Sequence, residues 1–138
     1  MRQQAREART LNVGAELPAV TKLLTQEKID RYAKVSGDHN PLHIDAGYAA
    51  TTQFGGTIAH GMLVLAYISE VMGAGFGRAW AQSGSLKVRF RGAARPGETV
   101  TASGRVARTD GRSTIFEVEC HNQRGEVLIS GEASVRVS

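Results

Sequence analysis

Cysteine, aromatic residues and long apolar runs are all scarce in this chain of 138 residues. The single cysteine, Cys120, excludes an internal disulfide and any metal site built from several cysteines, and it is typical of a reducing compartment such as the cytoplasm. Aromatic residues make up only 6% of the chain and the basic residues are scattered, which argues against nucleic-acid binding. No apolar run reaches the ~18 residues that a membrane-spanning helix needs.

The composition is that of a globular domain. Apolar residues make up 41% of the chain and charged residues 22%, and the length suits one domain with a proper core. We expect a flexible tail at residues 1–10, which lack the apolar stretch of a secretory signal, and a single domain at residues 11–138. The net charge of +4 favours an acidic partner, such as an acidic carrier protein or a phosphorylated small molecule.

Apolar periodicity predicts the order of the helices and strands. Residues 11–24 favour a first strand, and Thr25 and Gly37 are typical of the two caps of a helix between them. A second helix is predicted at residues 58–72, where nearly every side is apolar, so a layer of protein has to cover it. Alternating apolar residues then predict an antiparallel meander from Leu86 onward, with one face of each strand buried; the residues expected on that face include Leu86, Val88, Phe90, Val100, Val106 and Phe116.

These elements together predict an α+β domain in which a curved antiparallel sheet wraps around a central buried helix. A single sheet has open edges and covers such a helix incompletely. We therefore expect a symmetric homodimer that buries a sheet edge and the flank of the helix.

Polar side chains crowd into residues 35–62, VSGDHNPLHIDAGYAATTQFGGTIAHGM, directly before the buried helix. Asp38 lies just past the end of the first predicted helix, and His43 follows five residues later. The step from Asn40 to Pro41 disfavours helix at Asn40, so we expect the chain to bend and to bring the Asp38 and His43 side chains to one cavity.

The stretch SGDHNPLHID, followed by GYAATTQFGGTIAHGML, resembles the signature of MaoC-like enzymes, the (R)-specific enoyl-CoA hydratases and dehydratases of the hot-dog fold. The motif match covers residues 35–72. The resemblance implies an acyl-CoA or acyl-carrier-protein thioester as substrate and an (R)-3-hydroxyacyl product. The family often has a proline before the isoleucine of the IAHG stretch, whereas this chain has Gly56 and Thr57 there and so lacks that constraint on the loop.

Adding water across the double bond of an enoyl thioester requires an acid/base pair and a donor to the thioester oxygen. We expect Asp38 and His43 to form the pair, with the division of roles between them left open, because imidazole exchanges protons near neutrality and a carboxylate can hold the same water. Gly61, in the first turn of the buried helix, offers a free N–H at the positive end of the helix dipole as an oxyanion hole. His60 is expected to be structural, packed or hydrogen-bonded beneath the pair.

Four further residues are predicted to contact the substrate. Asn40 belongs to the matched signature, and Ser69 matches a serine found in close relatives in the family. Tyr48 and Phe54 are expected to form walls of the pocket. No cofactor or metal ion is expected, because the chain has no Cys/His ligand cluster and Gly61 with the helix dipole takes the place of a Lewis acid.

Three alternatives to an enoyl-CoA hydratase are open at this point. A 3-hydroxyacyl dehydratase would apply the same chemistry to acyl carrier protein, a hot-dog thioesterase would hydrolyse the thioester, and a non-catalytic acyl-binding subunit would only hold it. The spacing of Asp38 and His43 argues against the thioesterase. The presence of Gly61 together with that pair argues against a purely binding role.

Overall fold

The computed structural model describes residues 12–136, so the tail predicted at residues 1–10 lies outside the described range. Within that range the chain forms five helices and five strands. The helices are α1 (Gln26–Ser36), α2 (Pro41–Ile44), α3 (Ala46–Ala50), α4 (Gly61–Phe76) and α5 (Arg78–Ser83). The strands are β1 (Val20–Leu23), β2 (Ser85–Phe90), β3 (Thr99–Asp110), β4 (Ser113–His121) and β5 (Val127–Arg136).

One antiparallel sheet contains all five strands, in the order β1-β3-β4-β5-β2. The predicted meander is confirmed for β3, β4 and β5, which pair in succession. It is wrong for β2, which pairs with β5 instead of with the next strand, β3. Residues 91–98 therefore carry the chain from one side of the sheet to the other, and on the way Ala94 O accepts a hydrogen bond of 2.8 Å from Ala59 N.

The first strand is shorter than the sequence predicts. Of the described residues 12–24, Val20–Leu23 pair with β3 as a strand, and one isolated bridge joins Glu16 to Arg105. Leu17, which lies between these contacts, is buried against the central helix, with its side chain 3.7 Å from the position that a β-carbon on Gly75 would occupy. Within residues 12–24, Leu17 and Leu24 are buried in the core, and only the four residues Val20–Leu23 extend the sheet.

The helix α1 has the caps that the sequence predicts. Thr25 Oγ1 accepts a hydrogen bond of 3.1 Å from Lys28 N at the N-terminal end. Gly37 ends the helix in the left-handed region at φ 81°, where its N–H donates to Ala33 O, and glycine adopts this conformation without steric cost. Asp38 therefore lies immediately beyond the end of α1.

The central helix α4 begins at Gly61 and ends at Phe76, whereas the periodicity predicted residues 58–72. Its start is later because residues 58–60 are extended, with His60 at φ −60° and ψ 134°. Its end is later because the helix continues through Gly73 and Gly75, where packing outweighs the low helix propensity of glycine.

The helix α4 packs against β1, β3, β4 and β5, which cover one side of it. The flank formed by Met62, Ala66, Glu70 and Ala74 is exposed, so one chain covers the helix incompletely, as predicted for a single sheet. Although α4 is strongly apolar, no helix within residues 12–136 combines the length and apolarity needed to cross a membrane.

The predicted inward faces of the strands are confirmed in β3 and β4 and wrong at the end of β2. Val100 and Val106 in β3 and Phe116 in β4 are at most 1% exposed. Phe90, predicted to face the core, is 55% exposed. It is the last residue of an edge strand, where the sheet no longer covers it, and its ring lies against Gly61 at the start of α4.

Candidate active site

A short turn between α1 and α2 sets the positions of Asp38 and His43. One carboxylate oxygen of Asp38 accepts a hydrogen bond of 3.2 Å from Asn40 N. Asn40 has extended backbone, as its position before Pro41 predicts, and its side chain caps α2. His43 follows within the single turn of α2, where its N–H donates a hydrogen bond of 2.9 Å to Asn40 O, so local hydrogen bonds hold the Asp38 side chain and the His43 backbone.

The imidazole of His43 is oriented by the backbone of the segment that leads into α4. His43 Nδ1 lies 2.8 Å from Ile58 O. Because a carbonyl oxygen only accepts hydrogen bonds, Nδ1 must carry the hydrogen, and the lone pair of the neutral ring is then on Nε2. His43 is half-buried, and its free nitrogen is the one that can take a proton from a bound water.

His60 lies beneath the pair and contacts both members. It is 2% exposed, and its Nε2 donates a hydrogen bond of 2.9 Å to Asp38 O. Its ring stacks on the ring of His43, with centroids 3.9 Å apart, and the Tyr32 ring lies on it at 4.8 Å. His60 therefore holds the backbone of Asp38 and supports the ring of His43, which agrees with the structural role predicted for it.

The functional atoms of Asp38, His43 and His60 converge. One side-chain nitrogen or oxygen atom of each residue lies within 4.8 Å of the others. Since each hydrogen bond to a shared water spans about 3 Å, a single water can contact the Asp38 carboxylate and the His43 imidazole together. The same three residues suit a metal ion poorly, because the two imidazole rings are stacked with centroids 3.9 Å apart and planes 29° apart, so an ion bound by both would lie out of the plane of at least one ring.

A cleft of about 370 Å³ opens beside His43. Its walls are mostly apolar, as expected of a site for an acyl chain. It is formed by His43, Phe54, Ile58, Ala59, Gly61, Val64, Phe90, Arg91, Gly92, Ala93, Ala94 and Ile129. The cleft thus joins His43 to the start of the central helix, whereas Asp38 is exposed and does not line it, although the sequence predicts both side chains in one cavity.

Gly61 is the first residue of α4 and lines this cleft. Its N-terminal neighbour His60 makes no side-chain cap, and no residue within 12–136 accepts a hydrogen bond from Gly61 N. A free N–H at the start of a 16-residue helix carries the positive end of the helix dipole. A β-carbon on Gly61 would lie 2.8 Å from Phe90 Cε1, so a side chain at this position would press against the Phe90 ring beside the N–H.

Of the four predicted substrate contacts, only Phe54 lines the cleft. Asn40 caps α2, and Tyr48 is 49% exposed on α3. Ser69 Oγ accepts a hydrogen bond of 2.9 Å from Trp80 Nε1, which ties α5 to α4. Contact of Asn40, Tyr48 and Ser69 with a substrate stays a prediction.

Several residues of the cleft come from residues 90–94, a segment for which the sequence predicts no role in the site. Phe90 is the last residue of β2, Arg91 follows it directly, and Ala94 belongs to the crossing between β2 and β3. The apolar periodicity predicts that β2 is a strand, but it does not predict which strand β2 pairs with or where the following loop lies. The turn signal ARPGE at residues 94–98 marks a change of direction, but the pairing of β2 with β5 decides that this change passes beside α4.

The cysteine is not available as a nucleophile. Cys120 is fully buried, and its Sγ lies 3.6 Å from Val64 O. Burial raises the pKa of its thiol to about 12, so the thiolate is scarce at neutral pH. A cysteine-dependent attack on a thioester is therefore excluded in this fold.

Comparison with known proteins agrees with the family that the sequence motif resembles. The family model described as MaoC like domain matches residues 6–127. The (R)-specific enoyl-CoA hydratase of Rhodospirillum rubrum is 35% identical over 121 residues, which cover 86% of this chain and 83% of that protein. The (R)-specific enoyl-CoA hydratase of Aeromonas caviae is 32% identical over 136 residues, covering 94% of this chain and 98% of that protein.

The likeness extends to the three-dimensional structure. The unliganded R-hydratase PhaJ1 of Pseudomonas aeruginosa superimposes with a TM-score of 0.82 at 30% identity, over 94% of this chain and 83% of that one. The α+β arrangement of an antiparallel sheet around a central helix is therefore the predicted hot-dog fold. With a family model that covers most of its length and hydratases that match it almost end to end, this chain belongs to the MaoC-like domain family.

Proposed function

We propose that this protein is an (R)-specific enoyl-CoA hydratase, a hydro-lyase that adds water to a trans-2-enoyl-CoA and forms the (R)-3-hydroxyacyl-CoA. The observation that carries the proposal is the convergence of Asp38 and His43 within 4.8 Å, in reach of a single water, at a cleft that also contains the free N–H of Gly61. The names of the hydratase relatives support the substrate class and the configuration of the product.

In the proposed reaction, His43 Nε2 takes a proton from a water that also donates a hydrogen bond to the Asp38 carboxylate. The O–H bond breaks as the oxygen bonds to the β-carbon, and the π electrons move onto the thioester oxygen to give an enolate. The imidazolium of His43 then returns the proton to the α-carbon, so no net proton is consumed. Because one pair of side chains serves both steps from one side, the addition is syn.

The enolate oxygen carries the charge that develops in this reaction, and Gly61 N–H is the group placed to stabilise it. A preorganised backbone donor of this kind contributes roughly 3 kcal/mol of transition-state stabilisation. The donor needs no reorganisation, because the helix that follows it is part of the core.

We also propose that the protein acts as a homodimer in the cytoplasm. The exposed flank of α4 and the edge strand β2 are both uncovered in a single chain, and an apolar surface of this kind favours association. The lone buried cysteine, Cys120, suits a reducing compartment.

One assay of the purified protein tests the reaction class. On crotonyl-CoA, we expect the enoyl absorbance to fall while no free thiol appears, and chiral analysis to return the (R)-3-hydroxy product from protein pretreated with EDTA. Free thiol released in step with the loss of substrate would establish a thioesterase instead. An (S) product would mean that the pair lies on the opposite face of the substrate, and activity restored only by a divalent metal would contradict the role given to Gly61. Activity on crotonyl-acyl carrier protein measured in parallel identifies the preferred carrier.

A further inference from the structure

The side chain of Gln26, at the first position of α1, joins two distant segments of the active site. Its Nε2 donates a hydrogen bond of 2.8 Å to His43 O, and its Oε1 accepts one of 2.7 Å from Thr57 Oγ1. A third hydrogen bond of 2.8 Å, from Nε2 to Asp30 Oδ1, lies within α1 itself. The first two bonds connect residues that are 17 and 31 positions away in the chain.

The orientation of the Gln26 amide follows from its partners. A carboxylate and a carbonyl only accept hydrogen bonds, so the NH₂ group has to face Asp30 and His43. A hydroxyl group can donate, so the oxygen of the amide faces Thr57. Both hydrogens of this partly buried amide are therefore used, and a flipped amide would lose the bonds to Asp30 and His43.

The bonds of Gln26 complete a ring of contacts around His43. Gln26 holds the backbone carbonyl of His43, and the imidazole of His43 bonds through Nδ1 to Ile58 O. Ile58 directly follows Thr57, which Gln26 holds as well. Movement of His43 relative to the extended segment that leads into α4 would therefore break at least one bond of this ring.

We propose that Gln26 is a positioning residue for the active site, which sets the distance between His43 and the segment that enters α4 at Gly61. This role deepens the proposed hydratase function and rests on it. The hydroxyl of Thr57, at the place where the family often has a proline, anchors the loop through this amide. A loop without the proline constraint is thereby held by a hydrogen bond from a different helix.

A plain structural role for Gln26 would need only the bond to Asp30, which joins adjacent turns of one exposed helix face. It would not need the two long-range bonds, and it would leave the rate of the chemical step untouched. A shift of about 1 Å in a reacting group can cost on the order of a hundredfold in rate. Loss of a positioning residue is therefore expected to appear in kcat and only weakly in KM.

The test combines substitutions at both ends of the bond between Gln26 and Thr57. We expect Gln26→Met to lower kcat on crotonyl-CoA by about ten- to a hundredfold, with KM within about threefold of the wild-type value. Thr57→Val, which removes the hydroxyl and keeps the shape, should lower kcat in the same direction, and Thr57→Ser should restore it. The double variant should be no slower than Gln26→Met alone, because both changes break the same ring. Gln82→Met, the same change at an exposed position on α5, is the matched control and should leave kcat unchanged.

A kcat for Gln26→Met within about twofold of the wild type would overturn the proposal, and so would full additivity of the two single effects. A readout that needs no turnover separates this proposal from the hydratase assignment. The Nδ1–H of His43 should give a protected imidazole resonance in the wild type and in Thr57→Ser, and the resonance should be lost in Gln26→Met. If the wild type lacks hydratase activity while this pattern holds, only the function is wrong; if the resonance persists in Gln26→Met, the positioning role is wrong.

Discussion

At the residue scale, His43 and His60 show how two histidines in contact acquire different roles. Each donates one ring hydrogen to a backbone carbonyl, His43 from Nδ1 to Ile58 and His60 from Nε2 to Asp38. His43 lines the cleft, whereas His60 is 2% exposed and out of reach of a substrate. The free Nε2 of His43 is therefore the nitrogen that can exchange a proton with bound water, and His60 keeps the pair in place.

We expect Asp38→Asn and His43→Gln each to abolish hydration while the fold is retained, because Asp38 is exposed, His43 is half-buried and neither belongs to the core. General acid/base groups contribute about 10²–10⁴-fold to rate, so either variant should keep well under a tenth of the activity. Initial rates on crotonyl-CoA and the thermal unfolding midpoint measure the two effects separately.

The matched control is His39→Gln, a histidine between the pair that is exposed and belongs to none of the hydrogen bonds described above. It should leave the rate unchanged. More than a tenth of wild-type activity in Asp38→Asn or His43→Gln would contradict the assignment of Asp38 and His43 as the acid/base pair.

At the scale of secondary-structure elements, the start of α4 offers what a helix can contribute to catalysis, a free N–H at the positive end of the helix dipole. The helix has no side-chain cap at His60, and its first residue, Gly61, lines the cleft. An uncapped N-terminus is ordinarily a cost in stability. Here the exposed N–H groups face the place where the thioester oxygen is proposed to bind, so the missing cap is consistent with a binding function for this end of the helix.

Two substitutions on α4 separate this function from helix stability. Gly61→Ala should lower the hydration rate by at least about tenfold, because the added carbon would lie 2.8 Å from Phe90 Cε1 and would block the approach to the N–H. Gly73→Ala on the same helix places its carbon 3.9 Å from Trp80 Cδ1, an ordinary contact. It should raise the free energy of unfolding by about 0.5–1 kcal/mol and leave the rate unchanged.

Chemical denaturation and initial rates on both glycine variants provide the comparison. The oxyanion role would be contradicted by a Gly61→Ala protein that hydrates crotonyl-CoA within about twofold of the wild-type rate. A stabilised Gly73→Ala protein with a reduced rate would show that the whole helix, and not its first residue, determines activity.

At the scale of the whole molecule, the sheet leaves part of the central helix uncovered. The exposed flank of α4 runs along Met62, Ala66, Glu70 and Ala74, and of these only Glu70 is charged, in an ion pair of 3.0 Å with Lys22. The strand β2 is a sheet edge, and Phe90 at its end is exposed next to Gly61. A second copy placed on this side would cover apolar surface close to the proposed active site.

We expect light scattering at micromolar concentration to return a mass twice that of the 14.8 kDa chain. Ala66→Glu places a charge in the middle of the exposed flank and should convert the dimer to monomer. Ala81→Glu, the same change at an exposed position on α5, should leave the dimer intact. A monomeric wild-type protein, or a dimer that tolerates Ala66→Glu, would refute this interface.

Much of the site was predictable because its signals are local in sequence. The caps at Thr25 and Gly37 follow from the conformational preferences of those residues, and they determine that Asp38 lies just beyond a helix. The effect of Pro41 on Asn40 is equally local. The buried role of His60 could be inferred because it precedes an apolar helix.

Local sequence signals are less reliable where contacts between distant segments determine the structure. The end of α4 was predicted too early because glycine disfavours helix in isolation, while packing of Gly75 against Leu17 favours it in the folded chain. Ser69 illustrates the same limit, since its partner Trp80 lies on a helix that the periodicity did not predict.

The sequence by itself thus determined the α+β class, the segment that carries the chemistry and the identity of Asp38, His43 and Gly61 as candidates, because each depends on contacts within a few residues. Only the tertiary structure decided which nitrogen of His43 is free and that Gln26 anchors its backbone, because Ile58 and Gln26 lie 15 and 17 residues away from it. It also decided that Phe90 lies at the cleft, because the edge position of β2 depends on pairing with β5, which is formed by residues about forty positions later. Hydrogen bonds and strand pairs between distant segments form only when the whole chain has folded, and no local pattern encodes them.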